Sequence, residues 1–214
     1  MDDRPPRFDR AALRLIAITD TLRDGIPGLT ERARRAVAGG ATMLQLRLPD
    51  ESPRTLADAA RALRAAVPNV PLLVNERADV ALAAGAQGVH LNVDGIPPAA
   101  LRRVVPPGFI IGASVGDEPE CSRATGADYV GIGPVFAAAG GTGSGGAIGV
   151  ARFSVLARQC GIPAVAIGGI SAANVRTVMS AGASGVAVIS ALFSSADPTQ
   201  AARDLRAVLD ASES

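Results

Sequence analysis

Short apolar runs rich in β-branched residues recur along the chain, separated by longer stretches whose apolar positions fall three and four apart. The runs are LRLIAIT (13–19), TMLQLR (42–47), PLLVN (71–75), GVHL (88–91), FIIGA (109–113), DYVGIG (128–133), PAVAIG (163–168) and GVAVIS (185–190). Runs that are apolar on both faces suit parallel strands covered on each side. An intervening stretch such as SPRTLADAARALRAAV (52–67) has the spacing of an amphipathic helix. This alternation predicts an α/β fold, a single (β/α)8 TIM barrel of parallel strands over residues 11–214. Residues 1–10, polar and Pro-bearing, are expected to be an irregular lead-in.

A second regularity agrees. AGGATML, AAGAQGV, ATGADYV and SAGASGV each set a Gly-Ala pair before an even-numbered strand, at Gly40, Gly85, Gly126 and Gly182. Gly ends a helix in a left-handed conformation without a Cβ clash, and a small Ala lets the chain turn into the next strand. The interval from Gly126 to Gly182 is the longest, which locates an insertion after strand six, in PVFAAAGGTGSGGAIG (134–149). An open doubly wound sheet uses the same alternation but would carry a phosphate-binding glycine fingerprint after its first strand. Here that strand ends in Thr19-Asp20.

Composition narrows the function. At 214 residues, 48% apolar and 19% charged, the chain suits one domain with a substantial core. A net charge of +1 gives no basic face for nucleic acid and leaves a small neutral or anionic ligand as the partner. Every cation is Arg, so no Lys is present for a Schiff base or a compact phosphate clamp. No signal-peptide core and no apolar run of membrane-spanning length occur. Cys121 and Cys160 fall in predicted helices without metal-like spacing, and reduced thiols in a cytoplasmic protein are expected. A homodimer is left open.

In such barrels the chemistry gathers at the carboxyl ends of the strands. Strand one offers Thr19 and Asp20, strand two Gln45 and Arg47, strand three Asn75 and Glu76, strand four His90 and Asn92, strand five Ser114, strand seven Gly168 and Gly169, and strand eight Ser190. Gln45 and Arg47 share a strand face, so an inward Arg47 must meet an anion or a carboxylate such as Glu76. The ends of strands seven and eight, AIGGIS and AVISALFSSADP, resemble the phosphate site common in these barrels, with Ser171 expected to cap the helix after strand seven. His90, the sole histidine, is a candidate acid or base at the mouth, or a structural residue beneath it.

QLR (45–47), VNERADVALAAGAQGVHL (74–91), GADYVGIGPVF (126–136), AIGGI and GVAVIS resemble, in order and spacing, the thiamine phosphate synthase and thiazole tautomerase family. The resemblance implies a small phosphorylated substrate and a thiazole-phosphate anchor at Gly168, Gly169, Ile189 and Ser190. In the synthase branch an aminopyrimidine pyrophosphate loses pyrophosphate, and a thiazole phosphate captures the resulting cation. The resemblance then implies Gln45, Arg47, Asn75 and Ser114 as substrate contacts, with Arg47, Glu76, His90 and Ser114 as catalytic candidates. Mg2+ is the implied cofactor of a synthase, with Glu76 and Asp94 as candidate ligands.

The chain departs from that pattern at several places. The family's Lys two positions beyond the strand-two Arg is Pro49, the Asp after Asn75 is Glu76, and the Asp after strand four is Gly95, beside Asp94. The loop after strand six has Gly141 where the family has Lys. The tautomerase histidine after the strand-five Ser-Val corresponds to Gly116. With the pyrophosphate clamp depleted, the sequence reads closer to the tautomerase branch. A divergent synthase is the alternative, and a phosphate-binding protein without catalysis is a third reading.

Overall fold

The computed structural model describes residues 9–137 and 146–211. Eight parallel strands alternate with helices. They are β1 (Leu15–Ile18), α1 (Gly25–Ala38), β2 (Met43–Leu46), α2 (Pro53–Ala66), β3 (Leu72–Asn75), α3 (Ala78–Ala84), β4 (Gly88–Leu91), α4 (Pro98–Arg102), β5 (Ile110–Val115), α5 (Glu118–Arg123), β6 (Tyr129–Ile132), α6 (Gly149–Cys160), β7 (Ala164–Ile167), α7 (Val175–Ser180), β8 (Gly185–Val188), α8 (Ser190–Phe193) and α9 (Pro198–Asp210). The strands pair in chain order and β8 closes on β1, with Ile16 opposite Ala187. Closure makes this a (β/α)8 barrel and removes the open-sheet alternative.

Alternation along each strand sorts the core into two compartments. Leu15 and Ala17, Leu44 and Leu46, and Val186 and Val188 point outward into a continuous shell shared with the helices. Ile16, Ile18, Met43, Leu73, Ile110, Tyr129, Val165 and Ala187 fill the barrel itself. Helix α2 shows how the shell is built. Ser52 accepts from Thr55 N at 3.1 Å, Pro53 opens the helix, and Leu56, Ala59, Ala60 and Leu63 are its buried stripe.

A 3-10 turn at Arg10–Leu13 crosses the bottom, capped by the Asp9 side chain, and its Ala12 and Leu13 join the interior cluster as a floor. The sequence-derived boundary between residues 10 and 11 falls inside this turn, and residues 1–8 lie outside the described residues.

All four Gly-Ala glycines have positive φ, and Gly85 ends α3 at φ 69° in the left-handed conformation. Three local expectations change. Strand β5 runs on to Val115, Ser190 opens α8 instead of ending β8, and α7 begins at Val175 instead of being capped by Ser171. Asn174 stands at the N-cap position, and its side chain bridges the preceding loop without capping the helix, accepting from Ser171 N at 2.9 Å and donating to Gly169 O at 2.8 Å.

The cysteines also differ from expectation. Cys121 and Cys160 are joined in a disulfide between α5 and α6, not held as free thiols. Sequence spacing could not show this, because the pairing depends on the packing of two helices that lie on either side of β6. Glu118 and Arg152 form a bidentate ion pair between the same two helices.

Candidate active site

The mouth of the barrel holds two differently built halves. On the β2–β6 side, inward positions are polar. Gln45, 4% exposed, donates from Nε2 to Asn75 Oδ1 at 2.8 Å, and Asn75 Nδ2 donates to Glu76 Oε2 at 3.3 Å. Glu76 has φ 60°, a conformation costly for a residue with a Cβ, and it is central to a tight turn in which Arg77 N donates to Asn75 O at 2.7 Å. Its own N–H donates to His90 O at 2.8 Å. Strain held in place by the neighbouring strand leaves the Glu76 carboxylate exposed at the mouth.

Arg47 lies just past β2, exposed, and makes no ion pair among the described residues. The salt bridge to Glu76 that the sequence allowed is therefore not formed, and the guanidinium is open to an anion. Its backbone is fixed by Thr19, whose hydroxyl accepts from Arg47 N at 2.8 Å and donates to Arg47 O at 3.0 Å. Asp20 is taken up by arginines, 3.6 Å from Arg32 and 3.8 Å from Arg23.

His90 lies deeper, 8% exposed. Its Nδ1 is 2.9 Å from Tyr129 Oη and its Nε2 is 3.1 Å from Ser114 Oγ. Burial pushes its pKa down to about 4, so the ring is neutral at neutral pH. Burial, reinforced by the Asp128 charge, pushes the Tyr129 phenol up, so it keeps its proton. Tyr129 escaped the sequence reading. The available signal was that the only tyrosine and the only histidine both lie on strands, but their meeting depends on the register across β5.

Ser114 is half-buried and lines a cavity of about 150 Å³ with Leu91, Val93, Ile96, Ala113 and Arg123. Asp94 is exposed at the centre of a turn closed by Gly95 N donating to Asn92 O at 3.0 Å.

The β7–β8 half is a cavity of about 590 Å³, lined by Ala137, Ile167–Ser171 and Ala187–Ala191. None of these residues is charged. An anion here would have to be met by backbone N–H groups and the Ser171 and Ser190 hydroxyls. Gly168 (φ 92°) and Gly169 (φ 63°) have a structural duty as well. A Cβ on Gly168 would stand 2.5 Å from Pro134 Cβ, and one on Gly169 would stand 2.6 Å from Ala137 O. The chain after β6 thus runs directly over them, with Phe136 N donating to Gly168 O at 3.1 Å. Gly141 and the centre of the Gly-rich stretch lie outside the described residues.

With this geometry in view, likeness to known proteins becomes informative. A family profile described as thiamine monophosphate synthase matches residues 15–192. The chain belongs to that family. A thiamine-phosphate synthase of Azorhizobium caulinodans is 44% identical over 212 residues, covering 97% of this chain and 99% of that protein. One of Methanoculleus marisnigri is 49% identical over 181 residues, covering 83% and 86%. Among solved structures, the thiamine phosphate pyrophosphorylase of Pyrococcus furiosus superposes with a TM-score of 0.84 at 34% identity, covering 96% of this chain and 99% of that one. These family members favour the synthase alternative over the tautomerase-like reading toward which the sequence leaned.

The candidate Mg2+ ligands fit in a limited sense. No group of three or more His, Cys, Asp or Glu gathers among the described residues. Mg2+ is commonly held by one or two carboxylates together with substrate phosphates and water. Glu76 and Asp94, on the loops after the paired strands β3 and β4, suit that incomplete kind of site. Among the described residues no helix is long and apolar enough to cross a membrane.

Proposed function

We propose that the protein is a thiamine phosphate synthase, joining an aminopyrimidine pyrophosphate to a thiazole phosphate with release of pyrophosphate. The observation that carries this reading is end-to-end likeness to a synthase, at 44% identity over 97% of the chain. The tautomerase-like reading rested on absent lysines. An exposed Arg47 without an ion-pair partner provides a permanent cation at the mouth and weakens that objection.

In this reading the C–O bond to pyrophosphate breaks, the pyrimidine methylene becomes electron-poor, and the thiazole nitrogen supplies the new bond. Arg47 faces the charge that builds on the leaving group. Gln45 and Asn75 hold each other and orient Glu76. Mg2+, held by Glu76 and Asp94 together with the substrate, would neutralise phosphate charge. The β7–β8 cavity holds the thiazole phosphate through backbone N–H groups at Gly168, Gly169, Ile189 and Ser190.

Purified protein given both substrates and Mg2+ should form thiamine phosphate and pyrophosphate in equal amounts. Isomerisation of a thiazole carboxylate phosphate without coupling would instead restore the tautomerase reading. Thermal stabilisation by the thiazole phosphate with neither reaction would mark a binding protein.

A further inference from the structure

His90, Gly112 and Tyr129 are register partners on β4, β5 and β6. Because Gly112 has no side chain, the two rings meet across it. A Cβ there would stand 2.5 Å from Tyr129 Oη and 2.6 Å from His90 Nδ1. On β6, a Cβ at Gly131 would stand 3.1 Å from His90 Cε1. Two glycines therefore make a slot that fixes the imidazole plane, with Tyr129 on one ring nitrogen and Ser114 on the other.

We infer that Tyr129 is a positioning residue that sets the tautomer of His90 and thereby presents Ser114 to the mouth as a hydrogen-bond donor. A neutral imidazole has one N–H and one lone pair, and the partner of one nitrogen decides where the proton sits. A phenol is a more acidic donor than an imidazole N–H, and a ring nitrogen is a better acceptor than a phenol oxygen. Tyr129 Oη–H accordingly donates to Nδ1, which leaves the His90 proton on Nε2. Nε2–H then donates to Ser114 Oγ, and the serine hydrogen is released toward the barrel mouth. No other protein group among the described residues engages that hydroxyl. With its lone pair committed to Tyr129, His90 does not take a proton from substrate. The role expected of it from sequence, acid or base, passes to orientation of Ser114.

The tautomer can be read without any reaction, because the chain has one histidine. In protein labelled with 15N-histidine, the imidazole should show Nε2 protonated and Nδ1 unprotonated at neutral pH. The reverse assignment overturns the inference, whatever the protein catalyses. The catalytic consequence rests on the synthase reading. Tyr129→Phe should lower kcat about tenfold or more with KM for both substrates within about twofold, and the Nε2–H form should lose its dominance in the same spectra. Ser114→Ala should cost a similar factor, and the double variant should fall little further, since one residue acts through the other. Multiplying losses would overturn it. If the unaltered protein makes no thiamine phosphate, the synthase reading fails while the NMR assignment still decides the tautomer.

Discussion

The two halves of the mouth are built by opposite means, and in the proposed reaction each would hold a charged part of the substrates. On the β2–β6 side, polar side chains touch one another in sequence from Gln45 through Asn75 to Glu76, and from Tyr129 through His90 to Ser114. On the β7–β8 side no lining residue is charged, and the polar groups to hand are main-chain N–H groups and the hydroxyls of Ser171 and Ser190. Side chains can be aimed, exchanged and tuned in acidity, which suits the half where charge would change in the proposed reaction. Main-chain groups are fixed by the fold, which suits a phosphate whose charge stays constant.

The comparison predicts where pH should act. His90 has an ordinary pKa of 6.5 that burial lowers to about 4. Above pH 6.5 folded and unfolded chains both leave it neutral. Between 6.5 and 4 the unfolded chain takes up a proton that the folded chain refuses, so stability falls with pH across that window and not below it. The loss from this group is roughly 3 kcal/mol. Denaturant titrations of the unaltered protein and of His90→Gln should differ in slope between those limits, and parallel curves would contradict the buried neutral ring.

Arg47→Ala should lower synthase turnover about 100-fold, close to 2.7 kcal/mol, because no Lys is present to share the leaving-group charge. Its fold should be untouched, since the side chain is exposed, and a loss under about threefold would show that another group carries the charge.

In the backbone half, Gly169→Ala should cost about 2 kcal/mol of stability, because the new methyl meets Phe136 and Ala137 carbonyls and the φ of 63° is unfavourable. An unchanged denaturation midpoint would contradict that packing. Ser190→Ala should be the mildest change, raising KM for the thiazole phosphate by less than about threefold, since the N–H group remains. A loss like that of Arg47→Ala would mean that the phosphate is held by side chains after all.

Much of this was legible in the chain because strands buried on both faces announce themselves by composition. Every apolar run marks a strand, with β5 alone running past its run, and the Gly-Ala pairs mark helix ends correctly. Gln45, Asn75 and Ser114 could be placed at the mouth by counting along strands. What escaped was register. Nothing in GVHL and DYVGIG says that His90 and Tyr129 face each other across Gly112, and nothing in a separation of 39 residues says that Cys121 reaches Cys160. Capping also misled at Ser171, because Asn174, three residues on, offers both a donor and an acceptor to the loop.

The turn at Arg10–Leu13 has a consequence for traffic. With Ala12 and Leu13 packed against the lowest ring of interior side chains, the barrel is a cup and not a pipe. If the proposed synthase reaction runs here, two substrates enter and two products leave by one opening, so whichever lies deeper is first in and last out. Order of addition in that reaction is then a matter of depth, and steady-state inhibition by each product measures it.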